Sequence, residues 1–160
     1  IPGFSINGGE QRSRGFEFDI AGEVFKGLNL IASYSYIDTE VLKSSSLPEG
    51  ANFRNVPHNS GSLWAKYTIQ DGTFKNLGFG AGVFYTDGRP LDDADTLTLD
   101  GYTRVDLGIY YAHALPVGAF NMSLNVKNLT DETYMKSSLA TSRVFPGEPR
   151  SVFLTIGFKF

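Results

Sequence analysis

Apolar and polar positions alternate along this chain in seven separate runs. Phe16, Phe18, Ile20 and Val24 alternate with Glu17, Asp19, Ala21 and Glu23, so an extended segment there carries one apolar and one charged face. The second run places Leu28, Leu30, Ala32, Tyr34 and Tyr36 on one face, and the third places Leu63, Ala65, Tyr67 and Ile69. In the fourth, Leu77, Phe79, Ala81, Val83 and Tyr85 lie opposite Gly78, Gly80 and Gly82. The last three are marked by Val105, Leu107, Ile109 and Tyr111, by Phe120, Met122, Leu124 and Val126, and by Val152, Leu154, Ile156, Phe158 and Phe160. No segment sustains a helical period. The pattern predicts seven strands and an all-β fold.

The lengths of these runs and of their connections carry more. A segment of about 10 residues, roughly 33 Å long and tilted near 45°, covers the apolar band of about 25 Å that a membrane-spanning strand must cross. Soluble strands are more often about 5 or 6 residues. Connections after the first, third and fifth strands are short, near Phe25 to Gly27, Asp71 to Asn76 and Leu115 to Ala119. Those after the second, fourth and sixth are long and polar, near Asp38 to Pro57, Asp87 to Gly101 and Thr130 to Pro149. In an antiparallel up-and-down sheet, short turns then share one rim and long loops the other, as in transmembrane β-barrels of the outer membrane. Tyr34, Tyr36, Trp64, Tyr67, Tyr85, Tyr102, Tyr110 and Tyr111 cluster near strand ends, where a membrane interface takes an apolar ring with a polar tip. The competing reading packs these aromatics inside a soluble sandwich. Seven strands are one short of the smallest closed bacterial barrel, and an open sheet in lipid exposes two unsatisfied edges. The expectation is a piece of a larger barrel, or one closed by other chains. Ile1 to Asn7 is too short to assign a further strand.

Composition narrows the alternatives. The chain has 160 residues, 17 Asp plus Glu against 14 Lys plus Arg, 18 glycines and no cysteine. Its charged fraction of 19% lies below the roughly 25% of soluble domains, in keeping with strands whose outer face is apolar. A net charge of −3 leaves no basic footprint for nucleic acid. Absent cysteine excludes disulfides, thiolate zinc sites and cysteine nucleophiles. No window approaches the length of a transmembrane helix. Ile1-Pro2-Gly3-Phe4 lacks a basic and apolar leader, so the expectation is that a signal peptide has been removed or that the chain starts within a protein.

Few residues suggest chemistry. His58 and His113 stand on different segments without metal-ligand spacing, and no G-x-S-x-G, phosphate loop or dinucleotide fingerprint occurs. No catalytic role, resident metal or cofactor is expected. Asp87, Asp92, Asp93 and Asp95 form an acidic loop without the central glycine and distal glutamate of a calcium-binding EF-hand, which favours a solvated loop. Arg150 is expected to pair with a carboxylate on the polar face of the sheet.

The last third carries specific motifs. Val126-Lys127-Asn128-Leu129-Thr130-Asp131-Glu132-Thr133-Tyr134, then Phe145-Pro146-Gly147-Glu148-Pro149-Arg150 and a terminal alternating strand, resembles the carboxy terminus of TonB-dependent ferric siderophore receptors. Arg12-Ser13-Arg14-Gly15-Phe16-Glu17, Asn55-Val56-Pro57-His58-Asn59 and Gly101-Tyr102-Thr103-Arg104-Val105-Asp106 resemble barrel segments of the same family in the same order. The resemblance implies the last seven strands of a 22-stranded bacterial outer-membrane barrel, without the amino-terminal plug. It implies transport of a ferric siderophore, with iron present only in that ligand, and energy supplied by the TonB complex through the plug. It also implies contact with outer-membrane lipid and lipopolysaccharide, and with the barrel assembly machinery, for which the terminal Phe160 resembles the aromatic signal. Aromatic and cationic side chains at the long-loop rim suit such ligands. The candidates are Tyr85, Arg89, Leu139, Ser142 and Arg143, the strongest stretch being Met135 to Pro146, whose counterpart in the family reaches toward the ligand. The alternative is a structural or oligomerising barrel fragment without transport activity.

Overall fold

The computed structural model describes residues 9–160, so the Ile1 to Asn7 stretch lies outside the described residues. All seven alternating runs are strands of one antiparallel sheet, in the order β1 (Gly9–Phe25), β2 (Leu28–Ser44), β3 (Asn59–Thr68), β4 (Leu77–Thr86), β7 (Tyr102–Ala114), β8 (Ala119–Lys127) and β11 (Ser151–Lys159). The remaining four strands form two small hairpins inside the long connections. β5 (Arg89–Pro90) pairs with β6 (Thr98–Leu99), and β9 (Met135–Ala140) pairs with β10 (Arg143–Pro146). Among the described residues the sheet is open, with β1 and β11 each paired on one side only.

Register joins the apolar positions into a continuous surface. Leu28 faces Tyr67, Tyr67 faces Phe79, Phe79 faces Ile109, Ile109 faces Leu124 and Leu124 faces Leu154, so one row of large apolar side chains crosses six strands. This surface is uncovered: Phe16, Phe18, Leu154 and Phe158 are all about 60% exposed. The buried apolar side chains are instead Val41, Ala51, Leu99 and Tyr134, which lie at the long-loop end. A soluble sandwich would bury the sheet face and solvate the loops. Here the distribution is reversed, as lipid contact requires.

The opposite face is polar and is levelled by glycine. Trp64 projects there from β3, and a Cβ at Gly80 would come within 2.6 Å of its ring, with Gly82 still more tightly covered. The β4 glycines therefore make room for one indole. Lys66 lies 4.5 Å from the centre of the Tyr110 ring, and the Tyr110 hydroxyl donates to Asn125 Oδ1 at 3.0 Å.

Two features extend beyond the sequence pattern. β1 and β2 run for 17 residues each, past the apolar positions, because Arg12 pairs with Glu40 and Arg14 with Asp38 across the hairpin. Opposite charges on directly facing residues continue the ladder after the apolar band has ended. The second departure is the pair of loop hairpins, which no alternation marks.

Candidate functional site

The three long loops form one hydrogen-bonded cluster at their rim. Asn55, in the loop between β2 and β3, has φ near 64°, a conformation that asparagine tolerates better than most residues. Its backbone N–H donates to Pro90 O at 2.9 Å in the second loop. Its side chain reaches the third: Nδ2 donates to Ser138 O at 2.7 Å, and Oδ1 accepts from Ser138 N at 2.8 Å. The buried Ser138 hydroxyl also donates to Leu91 O. One asparagine thereby touches all three loops.

Arg89 is the second clasp. Its Nη2 donates to Met135 O at 2.6 Å and to Lys136 O at 2.7 Å, and its guanidinium lies 5.7 Å from the centre of the Tyr102 ring. Only 3% exposed, the side chain has its pKa lowered by desolvation. The Arg54 guanidinium completes the contact by donating to Leu139 O and pairing with Asp93 at 3.3 Å.

Beneath this cluster the third loop is seated on the sheet. Asn128, fully buried with φ near 52°, donates from Nδ2 to Glu132 O and Glu148 O and accepts from Glu132 N, each at 2.9 Å. Its backbone N–H donates to Asp106 at 2.8 Å, and Asp106 is held by a forked pair of 3.0 Å bonds from Arg104. Tyr134 stacks on Tyr102 with ring centres 3.9 Å apart, and Gly147 packs against the Tyr134 ring. The Asn-Leu-Thr-Asp-Glu run is thus a structural turn. Arg150 pairs with Asp131 in this loop at 3.7 Å, both half exposed, so the expected partner on the sheet face is replaced by a local one.

The acidic residues are engaged in the loops as well. Asp92 accepts from the Thr96 hydroxyl at 2.5 Å and from Thr96 N at 2.9 Å, which lowers its pKa. Asp87 accepts from Asn59 at 3.0 Å and Gly88 N at 2.9 Å and is lowered for the same reason. Asp95 accepts twice from Asn52. Among the described residues no group of His, Asp or Glu could hold a metal ion. His58 bonds Ile37 O through Nδ1 at 3.1 Å, while His113 lies beside Tyr111.

The five ligand candidates separate into three placements. Leu139, Ser142 and Arg143 are exposed on the β9–β10 hairpin around its turn. Arg89 is buried behind that hairpin, with Nη2 on its backbone and Nη1 without a hydrogen-bond partner among the described residues. Tyr85 belongs to the apolar row, opposite Gly61 and Thr103, with its hydroxyl 3.4 Å from Asp87 at the strand end. Asn55 and Ser138 carry the cluster although neither was a ligand candidate. The signal available was an asparagine two positions before a proline in a long loop.

Residues 2–129 match the family model described as TonB dependent receptor-like, beta-barrel. The chain belongs to this family. The family's members lie in the bacterial outer membrane, which makes the uncovered apolar surface the lipid-facing one and the polar surface the lumen side. They are receptors and transporters, not enzymes. The chain is 36% identical over 160 residues to the metal-pseudopaline receptor CntO of Pseudomonas aeruginosa strain UCBPP-PA14, covering 99% of this chain and 22% of that protein. It is 35% identical over 158 residues to the ferrichrome outer membrane transporter/phage receptor of Escherichia coli K12, covering 98% of this chain and 21% of the relative. The crystal structure of the siderophore receptor PiuA from Acinetobacter baumannii superposes with a TM-score of 0.82 at 29% identity, over 95% of this chain and 22% of that one. The chain thus spans about a fifth of the length of the curated relatives it matches.

Proposed function

We propose that this chain forms part of the barrel wall of an outer-membrane receptor that takes up ferric siderophores with energy from the TonB complex. The observation that supports it is the similarity to receptors named for ferrichrome and metal-pseudopaline along nearly the whole chain, loops included. In this reading the free edges of β1 and β11 pair with further strands of the same wall, since lipid does not tolerate unpaired backbone. The plug, lipopolysaccharide and barrel assembly machinery are partners of that whole receptor, with Phe160 as the assembly signal.

The exposed hairpin tip is the ligand-contacting part. Leu139 supplies an apolar surface, Ser142 a hydroxyl and Arg143 a cation for an anionic or carbonyl-rich iron complex. Arg89 serves the ligand indirectly by holding β9. Tyr85 anchors the membrane boundary with its ring in lipid and its hydroxyl toward Asp87.

The test is ligand binding by the full-length receptor, followed by fluorescence quenching with ferrichrome, ferrioxamine B and a ferric catecholate. One of these binds, and Arg143→Ala weakens it by about tenfold, the loss of one charge-assisted hydrogen bond. Absence of binding and of iron uptake with all three would overturn the reading.

A further inference from the structure

The lipid-facing surface is not uniformly covered. At Ala65 and Ala81, which face each other across β3 and β4, the outer side of the sheet is reduced to methyl groups. The same two strands put Trp64 and its glycines on the lumen side, so side-chain bulk there is displaced inward. The neighbouring pair along the strands is Tyr67 with Phe79, and Leu107 and Val126 continue the row on β7 and β8. The result is an apolar groove of about 480 Å³ running across the strands toward Leu28.

We propose that this groove seats one acyl chain of a zwitterionic phospholipid entering from the short-turn rim. The occupant follows from continuity and depth. The groove opens onto the surface that family membership assigns to lipid, and its walls offer no hydrogen-bonding groups apart from the Tyr67 hydroxyl. Ala81 stands four residues into β4, which at 3.4 Å per residue and a tilt near 45° is roughly 10 Å above that rim, within reach of the middle of an acyl chain. The rim supplies both signs of charge: Lys26 Nζ lies 4.0 Å from Asp71 on the adjacent turn, and both side chains are largely exposed. An ammonium beside a carboxylate complements the phosphate and amine of a phosphatidylethanolamine headgroup. This inference rests on the membrane placement of the sheet and is independent of the siderophore reading.

The experiment uses the full-length receptor in vesicles of phosphatidylethanolamine and phosphatidylglycerol, with phosphatidylethanolamine carrying a photoreactive group at mid-chain. After irradiation, labelled peptides concentrate on β3 and β4 around Tyr67 and Phe79. Ala81→Phe, and separately Ala65→Leu, lower that labelling by about tenfold, the loss expected when roughly two methylenes lose their seat. Ile156→Phe, on the same surface of β11 outside the groove, leaves it unchanged. Retained gel mobility of the unheated, folded barrel separates loss of the seat from loss of the fold. Labelling spread evenly over the outward face, labelling unaffected by both groove variants, or a protein-to-protein cross-link through Phe79 would each overturn the proposal, the last by identifying a second copy as the occupant.

Discussion

At the scale of single residues, the structure concentrates its specificity in a few polar side chains buried under the loops. Asn128 is the clearest. Its amide satisfies three backbone groups of the β8–β11 connection, and its backbone occupies the left-handed region. Alanine there strands the backbone partners and lacks the polar side chain that lets asparagine tolerate positive φ, together about 3 kcal/mol. Glycine also loses the hydrogen bonds but relieves the backbone, so Asn128→Gly should be less damaging than Asn128→Ala by about 1 kcal/mol. Urea unfolding of the variants in lipid vesicles checks the order. Equal loss in both would mean that the conformation at this residue costs nothing.

At the scale of elements, period-two alternation was sufficient to read every strand of the main sheet, because the face that meets lipid is kept predominantly apolar along each strand. Arg12, Arg14, Asp38 and Glu40 show where this signal stops: both strands are charged beyond the apolar band, and only their cross-strand pairing reveals that the hairpin continues. β9 was not legible for a different reason. Met135-Lys136-Ser137-Ser138-Leu139 has no alternation, and its path is set by Asn55 and Arg89, which lie 83 and 46 residues away from the positions they bind. Tyr85 was legible by parity, since it shares the face of Phe79 and Val83, and its place at the long-loop end of β4 is what made it a ligand candidate. Strand parity makes a direct prediction on β11. Leu154 faces lipid at the level of Leu124, and Thr155 faces the lumen side. Leu154→Arg should lower folding stability in vesicles by roughly 2–4 kcal/mol, as for arginine at the bilayer midplane, and Thr155→Arg by less than about 0.5 kcal/mol. Similar losses at the two positions would contradict the assignment of faces.

At the scale of the whole molecule, the loop cluster divides labour with the sheet. The sheet supplies a wall whose stability comes from its ladder and from lipid, and the loops supply the packed core, built around Val41, Leu99 and Tyr134. Because Asn55 and Arg89 hold β9 through its backbone and the buried Ser138, the hairpin tip is held in place while Leu139, Ser142 and Arg143 stay exposed. Such preorganisation lowers the entropy lost on binding. Replacing both clasps, as Asn55→Ala with Arg89→Leu, should therefore release the hairpin while the seven-stranded sheet persists. The chain has no cysteine, so spin labels placed at Glu49 and Ser142 meet no competing thiol within it. The distance distribution between them should be narrow in the parent and broad in the double variant, with each single variant between the two. Binding of the cognate iron complex should weaken by about tenfold for each roughly 1.4 kcal/mol of ordering that the ligand must then supply. A narrow distribution in the double variant would show that the hairpin supports itself, and the three loops would then be neighbours without being a unit.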